Sequence, residues 1–273
     1  MAKKLFISQL KPVLRLCYKK KELFLLSMFF DLCFFTALLV IHYFVLVAVK
    51  EHVFKFMDMM QETVGGIANA ETVSQVSPEL LMTPELTAVY HAIAKYFIIL
   101  LLGILLSWLV FKGINWYIAN RMIRKVNTQK FALKFIGYTI IAAVCLVILF
   151  AITIKLISYS TFAFLPLIGV FADRIIFFLL VWVLAYFVFI AYSLIPETDC
   201  RKLCRFAVKN YRKIVPAHLL LLVVLSFITF ITIWSINVNY WAPFILGLLV
   251  LLPAFTYGRI YIVVIVNKVL KRG

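Results

Sequence analysis

Charge is what this sequence has least of, and negative charge above all. Of 273 residues 14% are charged and 65% hydrophobic, and 28 Lys and Arg outnumber 11 Asp and Glu, leaving a net charge of +17. Water-soluble domains carry about 25% charged and 45–50% apolar residues, so composition alone excludes a soluble fold. Catalytic signatures are missing as well. The chain has no G-x-x-x-x-G-K-[ST], no H-E-x-x-H and no G-x-S-x-G. ATP hydrolysis, zinc proteolysis and serine-hydrolase chemistry therefore lack their parts. No apolar run holds a pair of carboxylates, and an enzyme is the least supported class.

Cysteine is sparse too. The five thiols (Cys17, Cys33, Cys145, Cys200 and Cys204) form no disulfide framework. Two lie inside apolar runs and three in basic segments. Cys200 and Cys204 stand four apart, but no further Cys or His pair lies near them, so neither a metal nor another cofactor is expected. The first apolar run is far longer than a signal h-region and no A-x-A follows it, so no cleavable signal peptide is expected either.

What is present is apolar sequence in long runs. Residues 23–49 read LFLLSMFFDLCFFTALLVIHYFVLVAV behind a basic leader, with one acid, Asp31, well inside. A bilayer core needs roughly 20 helical residues, so this run crosses it. Further spans are expected at about 94–117, 135–157, 175–194, 215–236 and 243–266, with one acidic loop at 50–92. The expectation is an all-α integral membrane protein: a six-span helix bundle forming one membrane domain, with basic interfacial segments on the cytoplasmic side. Gly65-Gly66 reads as a break after a short loop helix. Residues 158–172 read as a re-entrant half-helix or an outer cap, because Pro166 and Gly169 interrupt a segment too short to cross.

Orientation follows from the basic residues. Assigning the tail 1–22, the segments 119–134 and 198–213, the C-terminal tail, Lys112 and Arg259 to one side gathers 23 of the 28, against five opposite. That bias predicts both termini in the cytoplasm, with a prokaryotic inner membrane as the expected location. Residues 1–22 read as an amphipathic segment able to lie among headgroups, or as a basic tail that only sets topology. Because the positive charge flanks apolar runs, the expected partners are the lipid bilayer and its anionic phospholipid headgroups. A protein partner or a homo-oligomer would also fit, but nucleic acid would not. The lipid-contact candidates are Lys19, Lys20, Lys21, Arg121, Arg124, Lys125, Arg201, Lys202, Arg205, Lys209, Arg212 and Lys213.

Two charges lie deep. Asp31 is ten residues beyond Lys21 and Arg259 nine before Lys268, and at 1.5 Å per residue both reach about 14–15 Å from the inner anchors. A lone charge there costs at least about 2.5–3.5 kcal/mol, so the two are expected to pair and join spans one and six. Lys112 reads as a snorkelling residue and His218 as an interfacial one. Ser226, Thr229, Thr232 and Ser235 recur every three residues along span five, as a polar lining or a helix-packing stripe. Two functions remain open. One is a membrane scaffold or accessory protein binding anionic lipid or a partner. The other is a small-solute or ion transporter or channel using Asp31 and Arg259, for which Pro253 with Gly258 would supply a broken helix.

Overall fold

Lipid tails are as apolar as leucine, so span association has to come from close packing and interhelical polar contacts rather than from hydrophobic burial. The computed structural model describes residues 2–68, 84–161, 166–195, 197 and 200–271. Among them every regular element is helical, and six stretches are long and apolar enough to span: Lys21–Lys55, Thr87–Ile123, Thr128–Thr153, Ile175–Leu194, Tyr211–Asn237 and Ala242–Leu270. The protein is an all-α six-span bundle.

The elements in order are α1 (Ala2–Lys19), α2 (Lys21–Ala68), α3 (Pro84–Ser107), a π turn (Trp108–Lys112), α4 (Gly113–Ile123), α5 (Thr128–Thr161), α6 (Pro166–Leu194), α7 (Cys200–Lys209), α8 (Tyr211–Trp234), a short 3₁₀ turn, α9 (Ala242–Leu246), a second π turn (Gly247–Leu251) and α10 (Leu252–Leu270). Three expectations are corrected here. Gly65-Gly66 does not end a helix, since α2 runs on to Ala68; glycine costs a helix about 1 kcal/mol against alanine, which a long flanking helix absorbs. Of the segment 158–172, the described residues extend α5 to Thr161 and open α6 at Pro166, leaving no re-entrant half-helix among them. Pro166 takes the first helical position, where its missing N–H removes no bond. Pro253 does not break span six. Proline has no N–H for the carbonyl four residues back and its ring crowds that carbonyl. The π turn at Gly247–Leu251 lies just before it, and the helix continues.

The chain divides into two compact units, residues 1–32 with 111–273, and residues 33–110. The larger is built around α10, whose best apolar window is 56% buried against 6–22% for the other five spans. Helices α1, α4, α6 and α8 pack on it, and α5 pairs with α6. On α1 the buried stripe is Gln9, Val13 and Cys17 at four-residue spacing, while Leu10 and Leu14 stay exposed. Tyr257 on α10 donates to the Leu10 carbonyl at 2.9 Å. The amphipathic leader is thus docked on protein, with part of its apolar side left over. On α7, Leu203 and Ala207 are buried, and the Tyr186 hydroxyl ties α6 to the Ala207 carbonyl at 3.0 Å. In the smaller unit, Gly103 lets α3 approach Ile41 of α2, where a Cβ would sit 3.1 Å from the isoleucine. Phe34 and Trp108 meet edge to face at 5.8 Å there.

Docking of α1 has a chemical consequence. Burial pushes the Cys17 thiol up to about 11, so it stays protonated until the pH rises through that value, whereas Cys204 is exposed. Only the thiolate is nucleophilic. Maleimide at pH 8 is expected to modify Cys204 at least about tenfold faster than Cys17 in the folded protein. Equal rates, read by peptide mapping, would mean that α1 is not held on α10.

Candidate functional site

The larger unit places one acid among polar groups from three helices. Ser27 and Asp31 are one turn apart on α2. Lys112 closes the first π turn, and Asn115 follows one turn later on α4. Thr256 and Arg259 are one turn apart on α10. Each helix therefore offers two polar side chains to the same point, because residues three or four apart share a face. The Asp31 carboxylate is completely buried. Its Oδ1 accepts from Lys112 Nζ at 2.6 Å, Asn115 Nδ2 at 2.9 Å and Arg259 Nη2 at 2.7 Å. Its Oδ2 accepts from Thr256 Oγ1 and Arg259 Nη2, both at 2.8 Å. Arg259 Nη1 also donates to Ser27 Oγ at 3.0 Å, and Ser27 donates to Asn115 Oδ1 at 2.9 Å, closing the network.

An ionised carboxylate offers about four lone-pair sites. Asp31 fills them, so no acceptor capacity is left for a passing ion or solute. Both cations are themselves shielded, Lys112 at 8% and Arg259 at 8% exposure. One acid and two bases give the cluster a formal charge of +1 (Asp31 against Lys112 and Arg259). Sequence reckoning singled out Asp31 and Arg259, which the fold brings within 2.7 Å. It missed Ser27, Asn115 and Thr256, and it took Lys112 for a snorkelling residue. Lys112 turns inward instead, 2.6 Å from Asp31, because the carboxylate outcompetes distant headgroups for its ammonium. His218 is also corrected. It is buried at 1% exposure among Trp182, Tyr186 and Phe189, with Nε2 lacking a partner among the described residues.

The span-five hydroxyls behave as helix residues in lipid often do. Thr229 and Thr232 donate to the carbonyls of Leu225 and Ile228 at 2.8 Å, and Ser235 donates to the Thr232 carbonyl at 2.6 Å. Those bonds run back along the same stretch of helix, the usual local pattern of Ser and Thr hydroxyls. Ser226 faces outward. In the smaller unit, His52 packs against Tyr96 at 5.7 Å and His91 against Tyr90 at 5.9 Å.

A second polar network joins the C-terminal ends of α4 and α6. Asn120 is fully buried and donates to the carbonyls of Trp116 at 2.9 Å and Tyr192 at 3.0 Å. Its Oδ1 accepts from Arg124 Nη2 at 2.7 Å. Arg124 also donates to the Ser193 carbonyl and pairs with Glu197. Lys20 Nζ reaches the Met122 carbonyl at 2.6 Å, where a cation complements the C-terminal end of α4. Beneath them Tyr192 meets Phe135 at 4.5 Å and Trp116 at 5.3 Å, and shares a 2.7 Å hydrogen bond with Thr139. Of the remaining lipid-contact candidates, Lys19, Lys21, Lys202, Arg205, Lys209, Arg212 and Lys213 are exposed, and Arg201 lies in α7. Lys20, Arg121, Arg124 and Lys125 line one groove. Comparison of the chain with protein-family models, curated proteins and solved structures found no match in any of the three.

Proposed function

We propose that this protein is a membrane-embedded scaffold or accessory protein, whose basic face contacts anionic lipid headgroups or an acidic partner. The observation that carries the reading is the saturation of Asp31. A transport site exchanges its ligand, and its groups must be free in one state to receive it. This carboxylate, carried on α2, has five donor contacts from the α4 and α10 stretches and holds the three helices together. Such a cluster fixes one arrangement of helices. The basic residues are then left for recognition, each worth about 1 kcal/mol near an anionic surface. On this reading both termini lie in the cytoplasm and the host bilayer is a prokaryotic inner membrane.

The rival is a small-solute or ion transporter or channel using Asp31 and Arg259. Two observations favour it: the surplus positive charge of the cluster, and the π turns that end at Lys112 and just before Pro253, since π turns concentrate at functional sites. Reconstitution separates the two. Purified protein exchanged into neutral detergent should retain anionic lipid by native mass spectrometry. In proteoliposomes it should pass neither protons nor potassium faster than empty vesicles do. A flux that Lys112→Met abolishes in a protein of unchanged melting temperature would replace the scaffold by the transporter.

A further inference from the structure

The groove at the end of α4 is a more specific feature than a basic face. It has a volume of about 590 Å³ and is lined by Lys20, Arg121, Arg124 and Lys125, with Ile123 and Val126 supplying apolar wall. We infer that it binds the phosphate group of a lipid headgroup, with the first methylenes of the acyl chains against Ile123 and Val126. The inference rests on the scaffold reading and sharpens it to one site.

The cations are not equivalent. Arg124 is anchored by Asn120, the Ser193 carbonyl and Glu197, yet its Nε has no partner among the described residues. It is a fixed donor rather than a mobile one, which lowers the ordering cost of binding. Lys20 is held at the groove by its hydrogen bond to the Met122 carbonyl. Arg121 and Lys125 are exposed and stand four residues apart. Glu197, paired to Arg124, is the acid beside four cations, so the groove carries a surplus of positive charge that a phosphate monoester would largely offset. Arginine and lysine donors presented together suit phosphate oxygens.

Position selects the lipid over a soluble phosphate. The groove lies between the end of the candidate span Thr87–Ile123 and the start of Thr128–Thr153, where two such spans would leave the hydrocarbon for the headgroup region. Its apolar wall is half-buried at Ile123 and Val126. A soluble phosphate ester would have no use for it. Basic pockets between spans are an established way of holding phosphorylated headgroups.

The test uses the full chain in neutral detergent, titrated with short-chain phosphatidic acid and, separately, short-chain phosphatidylcholine. Arg121→Gln with Lys125→Gln removes two groove charges, and Arg205→Gln with Lys209→Gln removes two exposed charges from α7. The groove variant should bind phosphatidic acid about 30-fold more weakly and the α7 variant no more than about threefold, with melting temperatures unchanged. Equal weakening by both variants would overturn the site while leaving the general basic-face reading standing. If the unmodified protein shows no preference for phosphatidic acid over phosphatidylcholine, the site and that reading both fail. Competition by glycerol 3-phosphate at the same concentration as the lipid would show a soluble-phosphate site and overturn the lipid assignment.

Discussion

Asp31→Asn is expected to lower the unfolding free energy in detergent micelles by about 3–5 kcal/mol, the usual loss when one partner of a buried ion pair is removed. Asparagine keeps the shape and one acceptor oxygen, so Arg259, Lys112 and Thr256 can still reach the residue. What disappears is the only negative charge in the cluster. Two cations, each 8% exposed, would then face one another with no anion between them. Lipid supplies no counter-ion at that depth, and neither side chain could reach water without leaving its helix face. The effect should appear in unfolding by SDS followed by circular dichroism. It should be little changed by added salt, because buried charges are screened weakly. A loss below about 1 kcal/mol would mean that water already reaches Asp31, and the clamp account of α2, α4 and α10 would fall.

The architecture was legible because a spanning helix must satisfy its backbone internally, so length and apolarity nearly suffice. Span four, expected at 175–194, lies within α6, Pro166–Leu194. Asp31 and Arg259 were legible for a similar reason: a deep charge is costly, and equal depth makes two such charges candidates for each other. Lys112 was not, since a lysine near a span end can snorkel as easily as turn in. The sequence held a signal for the rest of the cluster. Ser27 with Asp31, Lys112 with Asn115, and Thr256 with Arg259 are polar pairs three or four apart inside apolar runs. Counting faces at 3.6 residues per turn would still have failed on the second pair, because the π turn at Trp108–Lys112 shifts the helix phase there. The groove was hidden for another reason. Lys20 lies about 100 residues before Arg121, and only the fold brings the junction of α1 and α2 to the end of α4, where the charges surround one space.

Charge arithmetic gives the cluster a sharper test than any single substitution. Removing Lys112 leaves the neutral pair of Asp31 and Arg259, and removing Arg259 leaves the neutral pair of Asp31 and Lys112. The two are not equal, since Arg259 contacts both carboxylate oxygens and Ser27, whereas Lys112 contacts Oδ1. Lys112→Met should therefore cost about 1 kcal/mol or less and Arg259→Gln about 2–3 kcal/mol, ordinary values for losing one or several charged hydrogen bonds. Combining substitutions changes the sign of the coupling. Lys112→Met added to Asp31→Asn takes away an unpaired cation and should recover part of the loss. The same change added to Arg259→Gln strands Asp31 with only the neutral donors Asn115 and Thr256, and should cost more than the sum of the two. Coupling energies for groups in contact run about 0.5–3 kcal/mol, large enough to resolve in SDS unfolding. Opposite signs in the two cycles are what a shared carboxylate requires. Additivity in both would place Lys112 outside the network, leaving Asp31 and Arg259 as a simple pair and α4 without its charged tie to the other two helices.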